Sequence, residues 1–451
     1  LVEVQESAVK PIEPVFLDYQ KDMSQLKAKS DIPVLYKQNV ANDLFQLIYV
    51  FDMGNNHDKA LGTAFDYLEY LGTSDMTPEE LKSEFYRLAC TFYVSPGNER
   101  TYVVLSGLNE NMPAAVQLFE KLLADAQVNK EAYTNMTSDI LKARSDAKLN
   151  QGQNFSRLMS FAMYGPKSPA TNLLTEAELT NMNPQELVDR IHNQNSYKHR
   201  ILYYGPSSSK DLLATINQYH QVPAALKDIP AGNEYAYLET PVTKVLVAPY
   251  DAKQIYMAQI SNLDKKYDPA IEPIRALYDE YFGGGMNSIV FQEMRETRGL
   301  AYSAWASIMP PSYLKYPYVL RTQIATQNDK MIDAVTTFND IINNMPESEA
   351  AFKLAKDGLT NRLRTERIIK GDIIWSYINA QDLGQNVDPR IKLYNDIQNM
   401  SLKDIVDFQK QWVKGRTYVY CILGDKKDLE LDKLKAVGPI EELTQEQIFG
   451  Y

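Results

Sequence analysis

Hydrophobic positions along this chain change period in a set order, and the order runs twice. A strand-like apolar run comes first in each half: Asp43-Leu-Phe-Gln-Leu-Ile-Tyr-Val-Phe51 and Gln254-Ile-Tyr-Met-Ala-Gln-Ile260. A helix-period stretch follows each. In the first half, Thr77-Pro-Glu-Glu80 has the form of a capping box with proline at the first helical position, and it predicts a helix running to about Ala89. Two strands are expected next, near Thr91–Val94 and Thr101–Leu105, with counterparts at Ala301–Ser307 and Tyr318–Ile324. Long amphipathic helices lead to a last strand, Ile201–Tyr204 or Tyr418–Leu423. Strands grouped with helices between and after them predict an α+β fold. We expect two homologous α/β-sandwich domains, each an antiparallel-rich sheet covered by helices on one face.

Weak matches at a nearly constant offset support a duplication. Ala115-Val-Gln-Leu-Phe119 matches Ala334-Val-Thr-Thr-Phe338 (334 − 115 = 219), and Asn181–Asp189 matches Asn399–Asp407 (399 − 181 = 218). Tyr203-Tyr-Gly205 matches Ile422-Leu-Gly424 (422 − 203 = 219), and Glu69-Tyr-Leu-Gly72 matches Glu280-Tyr-Phe-Gly283 (280 − 69 = 211). The expected domains are 26–228 and 238–451, after an extension over 1–25. Val222–Asn233, with two prolines and a glycine, reads as their link.

Composition narrows the function classes. A chain of 451 residues is long for one core, which agrees with two domains. A net charge of −11 argues against nucleic acid as the main partner, because phosphate binding needs a basic surface. No apolar run reaches the roughly 18 residues of a membrane span. Cys90 and Cys421 lie in apolar runs without a CxxC context and read as buried free thiols. The chain opens at Leu1 and passes through a proline-spaced, linker-like stretch, Val9-Lys-Pro-Ile-Glu-Pro-Val15. That start is expected of a processed form or a piece of a longer protein.

Few residues suggest chemistry. The four histidines, His57, His192, His199 and His220, show neither HxxxH nor HExxH spacing, so surface roles are expected for them. Gly283-Gly-Gly285 lacks the Lys-Ser/Thr of a phosphate loop and reads as a helix stop with a tight reversal. There is no Gly-x-Ser-x-Gly elbow, and the paired acids Glu79-Glu80 and Glu441-Glu442 read as surface. The stretch Phe291-Gln-Glu-Met-Arg-Glu-Thr-Arg-Gly-Leu-Ala-Tyr-Ser303 is different. It brings Arg295 and Tyr302 to a helix–strand junction, where five guanidinium donors and a phenol can converge on one ligand. A surface ion pair of Arg295 with Glu293 or Glu296, and a core strand role for Tyr302, are the plainer alternatives.

Gly283-Gly-Gly-Met-Asn-Ser288, Phe291-Gln-Glu-Met-Arg295 and Gly299-Leu-Ala-Tyr-Ser303, in that order, resemble the second-domain signature of the pitrilysin/insulinase family of zinc metallopeptidases. The repeated domain is that family's unit, so the resemblance covers nearly the whole chain. The family's first domain carries His-x-x-Glu-His and a distal Glu, which bind zinc and activate water. The matching place here is Asp66-Tyr-Leu-Glu-Tyr70, where Asp66 and Tyr70 stand for the two histidines and only Glu69 is kept. Asp139 and Asp146 occupy the region of the distal Glu. The resemblance therefore implies no cofactor in this chain, with zinc in a partner half. That partner is either the N-terminal half of one polypeptide, which the linker-like start favours, or a separate zinc subunit. It further implies a catalytic Tyr302 that stabilises an oxyanion, with Arg295 and Tyr302 both binding the substrate backbone. The implied substrate is a peptide or unfolded protein small enough to enter a chamber. The chain alone is expected to be inactive, and a bacterial periplasm or envelope is the expected location. An inactive scaffold of the same fold is the alternative.

Overall fold

A computed structural model of the chain describes residues 12–252 and 254–451. Residues 9–11 of the linker-like stretch from Val9 to Val15 therefore lie outside the described residues. The fold comprises two compact units. The N-terminal unit contains Tyr19–Ala236, Lys370–Trp375 and Thr444–Tyr451. The C-terminal unit contains Tyr237–Ile369, Ser376–Leu443 and the described part of Leu1–Asp18.

Six strands form the sheet of the N-terminal unit: β1 (Ser24–Lys27), β2 (Pro33–Gln38), β3 (Leu44–Phe51), β4 (Cys90–Pro96), β5 (Thr101–Leu108) and β6 (Arg200–Gly205). Their order is β1-β2-β6-β3-β5-β4, and every pair is antiparallel except β2–β6. The C-terminal unit has β7 (Lys244–Pro249), β8 (Gln254–Lys266), β9 (Ser303–Met309), β10 (Pro317–Gln327), β11 (Val419–Gly424) and β12 (Ile440–Glu442). Their order is β12-β7-β11-β8-β10-β9, with β7 parallel to both neighbours. Helices cover each sheet, so the expected α/β-sandwich architecture holds. The alternation of β3 turns Phe45, Leu47, Tyr49 and Phe51 into one core, where they meet Ala115, Val116 and Phe119 of the Met112–Asp125 helix. In the second core, Ile255 and Met257 of β8 meet Ala334, Val335 and Phe338 of the Met331–Asn343 helix.

Local signals explain several boundaries. Thr77 accepts from the Glu80 N–H at 3.2 Å while Glu80 accepts from the Thr77 N–H at 2.8 Å, and the helix runs over Pro78–Arg87. The Glu272–Phe282 helix stops at Gly283, where a Cβ would come within 2.2 Å of the Ala306 carbonyl oxygen. β7 was not among the expected strands. Its Val245-Leu-Val-Ala248 core is apolar without alternation, which is how a strand between parallel neighbours reads when both faces are buried. Cys90 and Cys421 are buried free thiols, as expected, and burial pushes the Cys421 thiol up to about 12. Among the described residues, no helix is long and apolar enough to cross a membrane.

One repeat match shifts by three residues. Tyr67 donates to the Asn129 carbonyl at 2.6 Å and accepts from the Asn129 N–H at 2.8 Å. Tyr281 donates to the Pro346 carbonyl at 2.7 Å and accepts from the Ser348 N–H at 3.0 Å. Asn129 and Ser348 are the N-caps of the Lys130–Lys148 and Glu349–Thr365 helices. Tyr67, not Tyr70, is thus the counterpart of Tyr281, and the offset is 281 − 67 = 214. A packing role suits Tyr281, which is 1% exposed, and does not suit Tyr70, at 45%.

Candidate functional site

The C-terminal unit places Arg295 and Tyr302 together. Ser288 caps a short helix, Ile289–Phe291, which continues as a π-helix over Gln292–Thr297. Wide turns of this kind are frequent where a side chain must be aimed. Ile289, Val290 and Met294 are buried and anchor the segment, so its other side, with Arg295, faces outward. Gly299 then takes a left-handed conformation (φ +58°), and its N–H and that of Leu300 bond back to the Arg295 and Met294 carbonyls at 3.1 and 2.8 Å. The reversal delivers Tyr302 just ahead of β9, with its N–H bonded to the Ala325 carbonyl of β10 at 3.0 Å.

Between those ends, the Arg295 guanidinium lies 5.1 Å from the Phe291 ring centre and 5.3 Å from that of Tyr302. A cation–π contact of this kind contributes about 0.5–1 kcal/mol at an exposed site. Arg295 also meets Glu296 at 3.6 Å, but both side chains are open to solvent, so the pair binds weakly. Tyr302 is 74% exposed, which removes the reading of it as a core strand residue. Its hydroxyl has no hydrogen-bond partner among the described residues, and it is free to donate to a ligand.

An ion pair and two hydrogen bonds brace β9, the strand that follows Tyr302. Asp279, on the Glu272–Phe282 helix, accepts from the Ile308 N–H and the Ser307 hydroxyl of β9, both at 2.9 Å, and pairs with Arg275 at 2.7 Å. Burial raises the Asp279 carboxyl to about 6 against the opposing pull of Arg275 and those two hydrogen bonds.

Asp66, Glu69 and Tyr70 lie at the end of the Leu61–Leu68 helix of the N-terminal unit, and all three are exposed. Desolvation, and then the nearby Glu69, lift the Asp66 carboxyl above its usual range. Two carboxylates and a phenol without an imidazole do not fit a zinc ion. Among the described residues, no group of three or more His, Cys, Asp or Glu is placed to hold a metal.

Two histidines depart from the surface roles expected of them. His199 and His220 are buried, at 7% and 0% exposure, and they meet each other and Glu120, itself fully buried. Histidine spacing gave no hint of this. The available signal was Glu120, an acid on the apolar stripe formed by Val116, Phe119 and Leu123. His57 and His192 are half-buried and exposed, respectively.

Comparison with known proteins agrees with this fold. Residues 201–359 match the family described as the peptidase M16 inactive domain. The non-peptidase homolog YmxG of Helicobacter pylori is 23% identical over 422 residues, covering 88% of this chain and 93% of that protein. The crystal structure of a peptidase M16 inactive domain from Pseudomonas fluorescens has a TM-score of 0.69 at 15% identity, over 90% of this chain and 98% of that one. The periplasmic protease PqqL from Escherichia coli has a TM-score of 0.71 at 13% identity. The match covers 93% of this chain, which spans about half of PqqL (48%).

Proposed function

From its resemblance to the M16 inactive domain, we propose that this chain is the non-zinc half of a zinc metallopeptidase, completing a peptide-binding chamber. The observation that carries this reading is the stacked, solvent-facing Arg295–Tyr302 pair. An inert scaffold has no use for a guanidinium held against an exposed phenol. In this role Arg295 binds the carbonyls of an extended peptide and orients it. Tyr302 donates its hydroxyl hydrogen to the carbonyl oxygen that gains charge during attack. The metal and the general base belong to a partner. YmxG, a relative of nearly this length that is named a non-peptidase homolog, supports a separate zinc subunit. The double-length PqqL supports a zinc half on the same polypeptide. A periplasmic setting is part of the proposal and rests on the description of PqqL.

The test is Tyr302→Phe in the assembly with its zinc partner, read as peptide hydrolysis at fixed pH. A loss of about tenfold or more, with assembly intact, is expected for removal of an oxyanion donor. Unchanged hydrolysis would reject the catalytic role and leave the scaffold reading. Chelator-sensitive cleavage by this chain alone, or stoichiometric zinc in it, would overturn the division of labour.

A further inference from the structure

The buried pair of histidines in the N-terminal unit poses a problem of proton counting. His199 Nδ1 lies 2.7 Å from the Tyr197 carbonyl oxygen, which only accepts, so Nδ1 carries a hydrogen. His220 Nδ1 lies 2.6 Å from Glu120 Oε1. The two Nε2 atoms face each other at 2.8 Å. If Glu120 were ionised and both imidazoles neutral, His220 would donate from Nδ1 and both Nε2 atoms would be bare. Two lone pairs would then meet in a dry core, beside an unbalanced negative charge. One more proton removes both faults. It makes His220 an imidazolium between the Glu120 carboxylate and the His199 Nε2. Alternatively, Glu120 is protonated and donates to His220 Nδ1. In both arrangements His220 Nε2–H donates to His199 Nε2, and the triad is neutral overall. A further proton would set N–H against N–H.

We propose that Glu120, His220 and His199 together hold one shared proton in the core of the N-terminal unit, so that the unit binds a proton as it folds above neutral pH and sheds one as it folds in acid. The surroundings suit a closed site. Glu120 Oε2 accepts from the Asn195 side chain and the Gln221 N–H, both at 2.9 Å. The Tyr49 ring of β3 packs on His220 at 4.3 Å, and Phe51 packs on His199 at 4.7 Å. Among the described residues the Tyr49 hydroxyl has no partner in hydrogen-bonding geometry, and burial, then the Glu120 charge, raise its pKa. Burial, and then the neighbouring His220, hold His199 down to about 3, so it stays neutral through the acid range. Among the described residues, no group of three or more His, Cys, Asp or Glu is placed to hold a metal, and these three side chains are no exception.

The linkage has a definite sign. The folded triad holds three protons. Unfolded, the same side chains hold about two at pH 8, because histidine titrates near 6.5 and glutamate near 4.3, and about four at pH 5.5. Stability from this source therefore peaks near neutrality. It falls as pH rises, with the unfolding constant growing about tenfold per unit above about pH 7.5, and by a similar factor per unit of acidification below about 5.5. This inference is independent of the proposed enzymatic role.

Glu120→Gln tests it, because an amide donating to His220 Nδ1 reproduces the protonated arrangement without titrating. Urea unfolding of the whole chain, wild type and E120Q, is to be followed from pH 5.5 to 8.5. The ratio of the two unfolding constants is expected to change about tenfold per pH unit throughout, with wild type losing ground as pH rises. A pH-independent ratio overturns the shared proton. Should E120Q not fold, nitrogen NMR of wild type with labelled histidine at pH 8 decides. A protonated His220 Nε2 supports the inference, and two bare Nε2 atoms reject it.

Discussion

Glu120 and Asn339 stand 219 positions apart (339 − 120 = 219), on the corresponding helices Met112–Asp125 and Met331–Asn343. Each faces the same pair of strands in its unit. Tyr49 of β3 registers with Ile201 of β6, and Gln259 of β8 registers with Tyr420 of β11, again at 420 − 201 = 219. The N-terminal unit fills this place with a carboxylate and two imidazoles. The C-terminal unit fills it with groups that do not titrate near neutrality. Asn339 Oδ1 accepts from Gln259 Nε2 at 2.6 Å and from the Tyr420 hydroxyl at 2.7 Å, while the Thr322 hydroxyl donates to Gln259 Oε1 at 2.8 Å. Each of these three donors finds an acceptor, with no proton to spare or to borrow. One fold position thus accepts either solution, but only the charged one ties stability to pH.

Truncation at this position should separate the two solutions most sharply. Glu120→Ala strips a fully buried acid and leaves the imidazole pair, Asn195 and the Gln221 N–H without their acceptor. The expected loss is about 3–5 kcal/mol, as for breaking a buried ion pair. Asn339→Ala orphans two neutral donors, and about 1–3 kcal/mol is expected. Urea unfolding at pH 7 measures both. Equal losses would mean that the N-terminal cluster carries no special charge.

The tyrosine devices come next in size and test whether the halves correspond as drawn. Tyr67→Phe and Tyr281→Phe each remove one bond donated and one accepted at a helix N-cap, so about 1–2 kcal/mol is expected for each. Tyr70→Phe should stay within about 0.5 kcal/mol, as at an ordinary surface position. If Tyr70→Phe costs as much as Tyr67→Phe in thermal unfolding, the equivalence of Tyr67 and Tyr281 is wrong.

These contrasts show what was legible in the sequence. Apolar strand-like runs marked β3, β8 and the other longer strands of each sheet except β2 and β7. They also passed over β1 and β12, which are too short to show a period. The match of Glu69-Tyr70 to Glu280-Tyr281 aligned identical letters, whereas the fold aligns side chains that reach an N-cap. The approach of Arg295 to Tyr302 was expected from a helix–strand junction. Its means, a π-helical turn and a left-handed Gly299, were not, because neither has a period of its own. The His199–His220–Glu120 contact joins three distant segments, and no local pattern encodes it.

The smallest predicted effect concerns the proposed site itself. Tyr302 and Tyr281 are both phenols held beside the Glu272–Phe282 and Phe291–Ser303 region, but their hydroxyls have opposite duties. The Tyr281 hydroxyl completes the backbone bonding of a helix start, and the Tyr302 hydroxyl bonds nothing among the described residues. Removing the latter costs the folded state neither a partner nor a buried contact. Tyr302→Phe should therefore change unfolding free energy by no more than about 0.5 kcal/mol, and it keeps the ring on which Arg295 stacks. Denaturant unfolding of the variant provides the check. A loss near that of Tyr281→Phe would show that the Tyr302 hydroxyl supports the fold, and it would remove the reason to regard this phenol as held in reserve for a substrate.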